Sequence, residues 1–110
     1  MSFDVIATSP FERKLKRLSK KYKSLPKDLL PIIEKLSEQP TLGTPLGKNC
    51  FKIRIAITSK SKGKSGGGRL ITYVRIVQNS VFLLDIYDKS EQPKISDKEL
   101  KLLIEILSTD

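Results

Sequence analysis

Lys52 and Arg54 stand two residues apart in an alternating stretch, and Arg69, Ile71, Tyr73 and Arg75 repeat that spacing in the next one. In a strand, period 2 turns alternate side chains to one face. Both stretches lie in a window from Gln39 to Leu84 that contains no Asp or Glu between its ends. The window carries Lys48, Lys52, Arg54, Lys60, Lys62, Lys64, Arg69 and Arg75. Cations gathered without acids repel one another unless an anion joins them, and guanidinium groups grip phosphate oxygens bidentately. At the window's centre runs Lys60-Ser61-Lys62-Gly63-Lys64-Ser65-Gly66-Gly67-Gly68-Arg69, whose glycines let backbone approach a ligand closely. The chemistry on offer is polyanion binding, with RNA the first choice.

The rest of the composition narrows this. At 110 residues with 38% hydrophobic content, the chain supports a single domain over residues 1–110 with one modest core. Lys and Arg number 21 against 12 Asp and Glu, for a net charge of +9. That balance favours phosphate backbones, anionic membranes or an acidic protein partner. There is no His and one cysteine, Cys50, so an internal disulfide is excluded and neither a zinc site nor another metal or cofactor is expected. Catalysis would have to run on Lys, Arg, Tyr, Asp, Glu, Ser or Thr. The N-terminal residues lack a secretory pattern, and no apolar run approaches the roughly 18 residues of a membrane span. A cytoplasmic protein with no membrane partner is expected.

The elements that must position these residues follow from periodicity. Phe3 to Ala7 reads as a short strand. Thr8 or Ser9 caps a helix with Pro10 at its first position, and Phe11, Leu15, Leu18 and Tyr22 form its apolar stripe. Its other face is basic, from Arg13 to Lys23, and serves either as solvated charge or as a contact for RNA or an acidic partner. Leu29, Ile32, Ile33 and Leu36 mark a second helix; an N-cap at Asp28 would put Pro31 in its first turn. Gln39 to Lys48 reads as a loop. Three strands follow at Phe51–Thr58, Arg69–Val77 and Val81–Tyr87, the last with Phe82, Leu84 and Ile86 on its apolar side. Ser96 and Glu99 form a capping box ahead of a helix striped by Leu100, Leu103, Ile104 and Leu107. The order β-α-α-β-β-β-α predicts an α+β fold with an antiparallel-dominated sheet and helices packed on one face. The open face would then gather Lys52, Arg54, Arg69, Ile71, Tyr73, Arg75, Asp85 and Tyr87.

The chain resembles the RelE/ParE superfamily of toxins from type II toxin–antitoxin systems, and within it the RelE-like and HigB-like branch. The likeness rests on Leu46-Gly47, on Phe51-Lys52-Ile53-Arg54-Ile55-Ala56, on Gly63 to Tyr73, and on Val81-Phe82-Leu83-Leu84-Asp85-Ile86-Tyr87-Asp88-Lys89. It implies the microbial-RNase-type fold of RelE and a cognate antitoxin partner. It implies entry into the ribosomal A site, contact with ribosomal RNA, and metal-independent cleavage of messenger RNA by attack of a 2′-hydroxyl on the adjacent phosphate. Lys52 and Arg54 match the family's paired basic positions, Arg69 matches the arginine opening the next strand, and Lys89 matches a basic residue after the last strand. The chain departs from its relatives in having no His and no Tyr after Tyr87. That leaves the general acid and base unassigned.

On this reading Arg69 stabilises developing phosphate charge, and Lys89 is a leaving-group acid or a phosphate ligand. Tyr87 or Tyr73 transfers a proton or stacks on a base. Lys60, Lys62, Lys64, Tyr73 and Arg75 contact RNA. Each has a plainer alternative: a solvated strand end for Arg69, polar-out alternation for Lys52 and Arg54, packing for the tyrosines, a simple turn for the Lys60–Lys64 loop. Asp85 reads as a cross-strand partner, and Cys50 as a packing residue. Gly63-Lys64-Ser65 is not a nucleotide-binding P-loop, because position 58 is Thr and a strand follows where the motif needs a helix. Two rival functions remain on the same fold: a ParE-like inhibitor of DNA gyrase, and a degenerate toxin that holds RNA without cutting it.

Overall fold

The computed structural model describes residues 2–60 and 67–108. The chain runs β1 (Asp4–Ala7), α1 (Ser9–Lys21), α2 (Leu25–Glu38), β2 (Thr44–Gly47), β3 (Cys50–Ile55), β4 (Gly68–Arg75), β5 (Ser80–Asp88) and α3 (Asp97–Ser108). The strands form one sheet in the order β1-β5-β4-β3-β2. Pairing is antiparallel except between β1 and β5, which the α1–α2 excursion makes parallel. The α+β class and the antiparallel-dominated sheet are as the sequence predicts.

Local signals set the helices. Thr8 accepts from the backbone N–H of Phe11 and donates its hydroxyl to the Leu83 carbonyl at 2.8 Å, so one residue caps α1 and ties it to β5. The second helix starts earlier than its expected cap. Ser24 is the N-cap, and Pro31 lies inside α2. Asp28 instead accepts from the Ser24 hydroxyl and from both the backbone and side chain of Thr58, joining α2 to the segment after β3. Those hydrogen bonds outweigh the burial that would raise its carboxyl, and the net shift is downward. The capping box of α3 is present: Glu99 N–H donates to Ser96 Oγ at 3.1 Å.

The residues expected to loop between α2 and β3 include a strand. β2 is an edge strand, where Pro45 lacks no bond the sheet needs, and a register shift follows it before Gly47. Gly43 precedes it with φ +106°, and a Cβ there would meet the Lys52 carbonyl oxygen at 2.5 Å. Glycine is what lets this edge close on β3.

A second difference concerns the helices. They cover both faces of the sheet. α1 and α2 supply Phe11, Leu18, Leu25, Leu29 and Leu36 to a core with Ile53, Ile55, Leu70, Val74, Val81, Leu83 and Ile86. α3 covers the other face, where Leu100 packs with Cys50, Ile71, Leu84 and Tyr87. The expected single-sided packing fails because both faces are apolar: Cys50 and Ile71 already give the second face an apolar patch, and a bulge in β5 adds Leu84. The register runs Ile71↔Asp85 and then Thr72↔Leu83, so Leu84 is the extra residue. The bulge separates Leu84 from Ile86, which strict alternation had put on one side. Fully burying each such aliphatic side chain contributes roughly 1.5–3 kcal/mol.

Candidate phosphate-binding cleft

Register brings the basic residues together. Arg54 on β3 lies opposite Arg69 on β4, and Arg69 lies opposite Tyr87 on β5. Lys52 sits between Thr44 on β2 and Ile71 on β4. Directly opposed residues of antiparallel strands have Cα atoms about 4.5–5.5 Å apart, so two guanidinium side chains start from adjoining positions. Like charges placed so are destabilising in the absence of an anion.

These residues line an open cleft of about 690 Å³. Lys52, Arg54 and Arg69 come from the sheet, Lys89 from the turn after β5, Lys35 from the last turn of α2, and Thr44 from the edge strand. Arg69 is the most enclosed of the basic residues from the sheet, at 5% exposure, and one guanidinium nitrogen donates to the Gly68 carbonyl at 2.9 Å. That ties one edge of the guanidinium to the adjoining backbone. Arg54 is exposed and Lys52 is half-buried. Among the described residues, no carboxylate forms an ion pair with Lys52, Arg54 or Lys89.

Other expected site residues lie elsewhere. Tyr87 is opposite Arg69 in register, but its ring belongs to the core beneath α3 and is 2% exposed. Burial raises its phenol above the ordinary value, and the nearby Arg69 charge offsets part of that. Tyr73 and Arg75 lie toward the far end of β4. Four to six residues beyond Arg69 along a strand is about 13–20 Å. There Arg75 stacks over Tyr73 and Phe82, 5.6 and 5.7 Å from the ring centroids. Lys62 and Lys64 lie outside the described residues.

Lys60 is not turned to solvent as an RNA ligand would be. Its ammonium bonds Asp88 Oδ1 at 2.7 Å, with the Lys60 and Asp88 side chains 13% and 0% exposed. Asp88 also accepts from the Tyr22 hydroxyl at 2.5 Å and from the Ser90 hydroxyl and N–H at 2.7 and 3.0 Å. Burial alone would raise this carboxyl, but the bonds from Lys60, Tyr22 and Ser90 hold it well below the usual carboxylate range. No sequence period announces this node. Tyr22 is legible as part of the apolar stripe of α1, and nothing local shows where its hydroxyl goes. Asp85 likewise pairs with Lys14 of α1 at 2.8 Å rather than with a residue across the sheet. Burial raises the Asp85 carboxyl in spite of that partner. Cys50 is buried, and its thiol is pushed up to about 11, which suits a packing residue.

This mixed fold, three helices packed on a five-stranded sheet, matches solved structures of RelE toxins. A variant of Escherichia coli RelE carrying two arginine-to-alanine substitutions, in the free state, superposes with a TM-score of 0.60 at 17% identity, over 84% of this chain and 90% of that one. The isolated E. coli RelE toxin gives 0.53 at 17% identity, over 96% and 99%. The RelBE2 toxin–antitoxin complex of Mycobacterium tuberculosis gives 0.55 at 17% identity, over 80% and 92%. The sequence model of the family described as the RelE toxin of the RelE/RelB toxin–antitoxin system matches residues 11–109. This chain belongs to the RelE toxin family. No helix among its described residues is long and apolar enough to cross a membrane.

Proposed function

We propose that this chain cuts messenger RNA on the ribosome, in the cytoplasm, without a metal, and is held inactive by a cognate antitoxin. The observation that carries this reading is the cleft where Lys52, Arg54, Arg69 and Lys89 meet without a carboxylate partner for Lys52, Arg54 or Lys89 among the described residues. Such a group matches the charge of a scissile phosphate. The mycobacterial neighbour is a toxin–antitoxin complex, which supports the partner.

The chemistry divides by residue type. The RNA 2′-oxygen forms a bond to the adjacent phosphorus, and the bond from phosphorus to the 5′-oxygen breaks, leaving a 2′,3′-cyclic phosphate. One proton leaves the 2′-hydroxyl and one arrives at the 5′-oxygen. Arginine stays charged at any physiological pH, so Arg54 and Arg69 serve as charge stabilisers. A lysine gives a proton as the ammonium and takes one only as the neutral amine. Lys52, as the amine, takes the 2′ proton, and Lys89, as the ammonium, gives one to the 5′-oxygen. The burial of Tyr87 supports assigning proton transfer to lysine. The same burial favours a second reading, in which the cleft holds RNA and does not cut it.

Induced expression in a bacterial host with mapping of mRNA 5′ ends tests these readings. Cuts within translated codons that vanish in Arg69→Ala are expected. Growth arrest without cuts would point to gyrase or another target. A soluble chain that neither arrests growth nor cuts would favour the RNA-holding reading.

A further inference from the structure

The turn that carries Lys89 is clamped from three sides. Its backbone N–H donates to the Gly67 carbonyl at 3.0 Å, which ties it to the start of β4. Gly67 has φ +57°, and a Cβ there would lie 2.4 Å from the Ile55 carbonyl oxygen, so this approach tolerates no side chain. The preceding residue, Asp88, is fully buried and takes bonds from Tyr22 at the C-cap of α1, from Lys60 beyond β3 and from Ser90. Two residues on from Lys89, Glu91 pairs with Lys21 at 3.2 Å and lies 3.7 Å from Arg17, both on α1. The N–H groups of Glu91 and Gln92 fold back onto the Asp88 carbonyl, each at 3.0 Å. Lys89 itself is exposed and lines the cleft.

Burying a carboxylate and an ammonium costs several kcal/mol of desolvation per ion, and a packed apolar pair would often serve stability as well. An ionic node at this place therefore calls for a reason beyond stability. We propose that Asp88, through Tyr22 and Lys60, is a positioning residue that aims Lys89 across the cleft at the phosphate bound by Arg69. It acts through Lys89 and touches no substrate. The inference rests on the nuclease reading for its purpose but not for its geometry. A misplacement of about 1 Å can lower a rate on the order of a hundredfold, which is the scale at which such a clamp matters.

The test has two arms on the full chain. In the free protein, amide hydrogen exchange is followed in the wild type, Asp88→Asn and Tyr22→Phe. The milder Tyr22→Phe leaves the Lys60–Asp88 pair in place if the asparagine variant folds poorly. Faster exchange at Lys89, Glu91 and Gln92, with the β3–β4 ladder still protected, is expected. An unchanged Lys89 amide, or protection lost evenly over the sheet, would overturn the proposal. On programmed ribosomes, single-turnover cleavage is compared for Asp88→Asn, Lys89→Ala and the double variant. Each single variant should lower the rate about tenfold to a hundredfold with little change in the half-saturating concentration. The double variant should fall no further than Lys89→Ala alone. Losses that multiply would overturn the proposal. A wild type that cuts no RNA would instead remove the nuclease reading, and the exchange arm would then decide whether Asp88 orients Lys89.

Discussion

Lys52 and Lys60 come from the same acid-free window, eight positions apart, and the fold uses them in opposite ways. Lys60 is turned inward against Asp88, a carboxylate from 28 residues further along, and is bonded at 2.7 Å. Lys52 lines a cleft with Arg54 and Arg69 and has no carboxylate partner among the described residues. The node neutralises its charge internally. The cleft beside it leaves its charge for something else. Local sequence says that both lysines are cationic, and only the tertiary partner says which one is structural.

The contrast breaks most sharply under truncation. Lys60→Ala leaves Asp88 buried without its ammonium, and removing one partner of a buried pair costs about 3–5 kcal/mol. Lys52→Ala should cost about 0.5 kcal/mol or less, because it removes a side chain from a repelling cluster. Urea unfolding of the two variants is the check. Equal losses would erase the distinction between node and cleft.

Acid sharpens it. Asp88 is held below its ordinary value, so its contribution is present above the unfolded carboxyl pKa of about 3.9 and is lost as pH falls from there through the folded value. The stability gap between wild type and Asp88→Asn, wide at pH 7, should therefore narrow below about pH 4. Asp85 carries the opposite sign. Its carboxyl is raised by burial, so its ionisation costs stability as pH rises, and Asp85→Asn should not lose more at pH 7 than in acid. Unfolding midpoints at pH 3 and pH 7 would read both.

The smallest effect is on salt. Binding of a single-stranded RNA loses about 0.7 in the slope of log K against log salt for each phosphate contact removed. Lys52→Ala should show that change, and Tyr22→Phe, at the node, should show none. A titration from low to moderate salt decides it.

Much of the cleft is legible in the sequence. Alternation in Phe51–Ile57 and Arg69–Arg75 puts Lys52 and Arg54 on one side of β3 and Arg69 on the matching side of β4, and the observed register joins them. The resemblance supplies Lys89. What escapes are features set by exceptions to periodicity. Pro45 between Gly43 and Gly47 reads as loop, yet an edge strand tolerates it. The bulge at Leu84 parts it from Ile86, and α3 covers Tyr87 and Ile71 where an open face was expected. The Asp88 node joins Tyr22, Lys60 and Ser90, residues up to 68 positions apart, and no local pattern encodes such a meeting.

Purified chain acting on ribosomes programmed with a defined message tests the central claim most directly, with Arg69→Ala beside the wild type and free RNA as the control substrate. The wild type should cut the message on the ribosome. Arg69→Ala, still folded by circular dichroism, should cut on the order of 10²–10³-fold more slowly, the scale of losing one fixed donor to a charged transition state. A wild type that leaves the message intact, or a variant that cuts at the wild-type rate, would contradict the account of this cleft as the site of RNA cleavage.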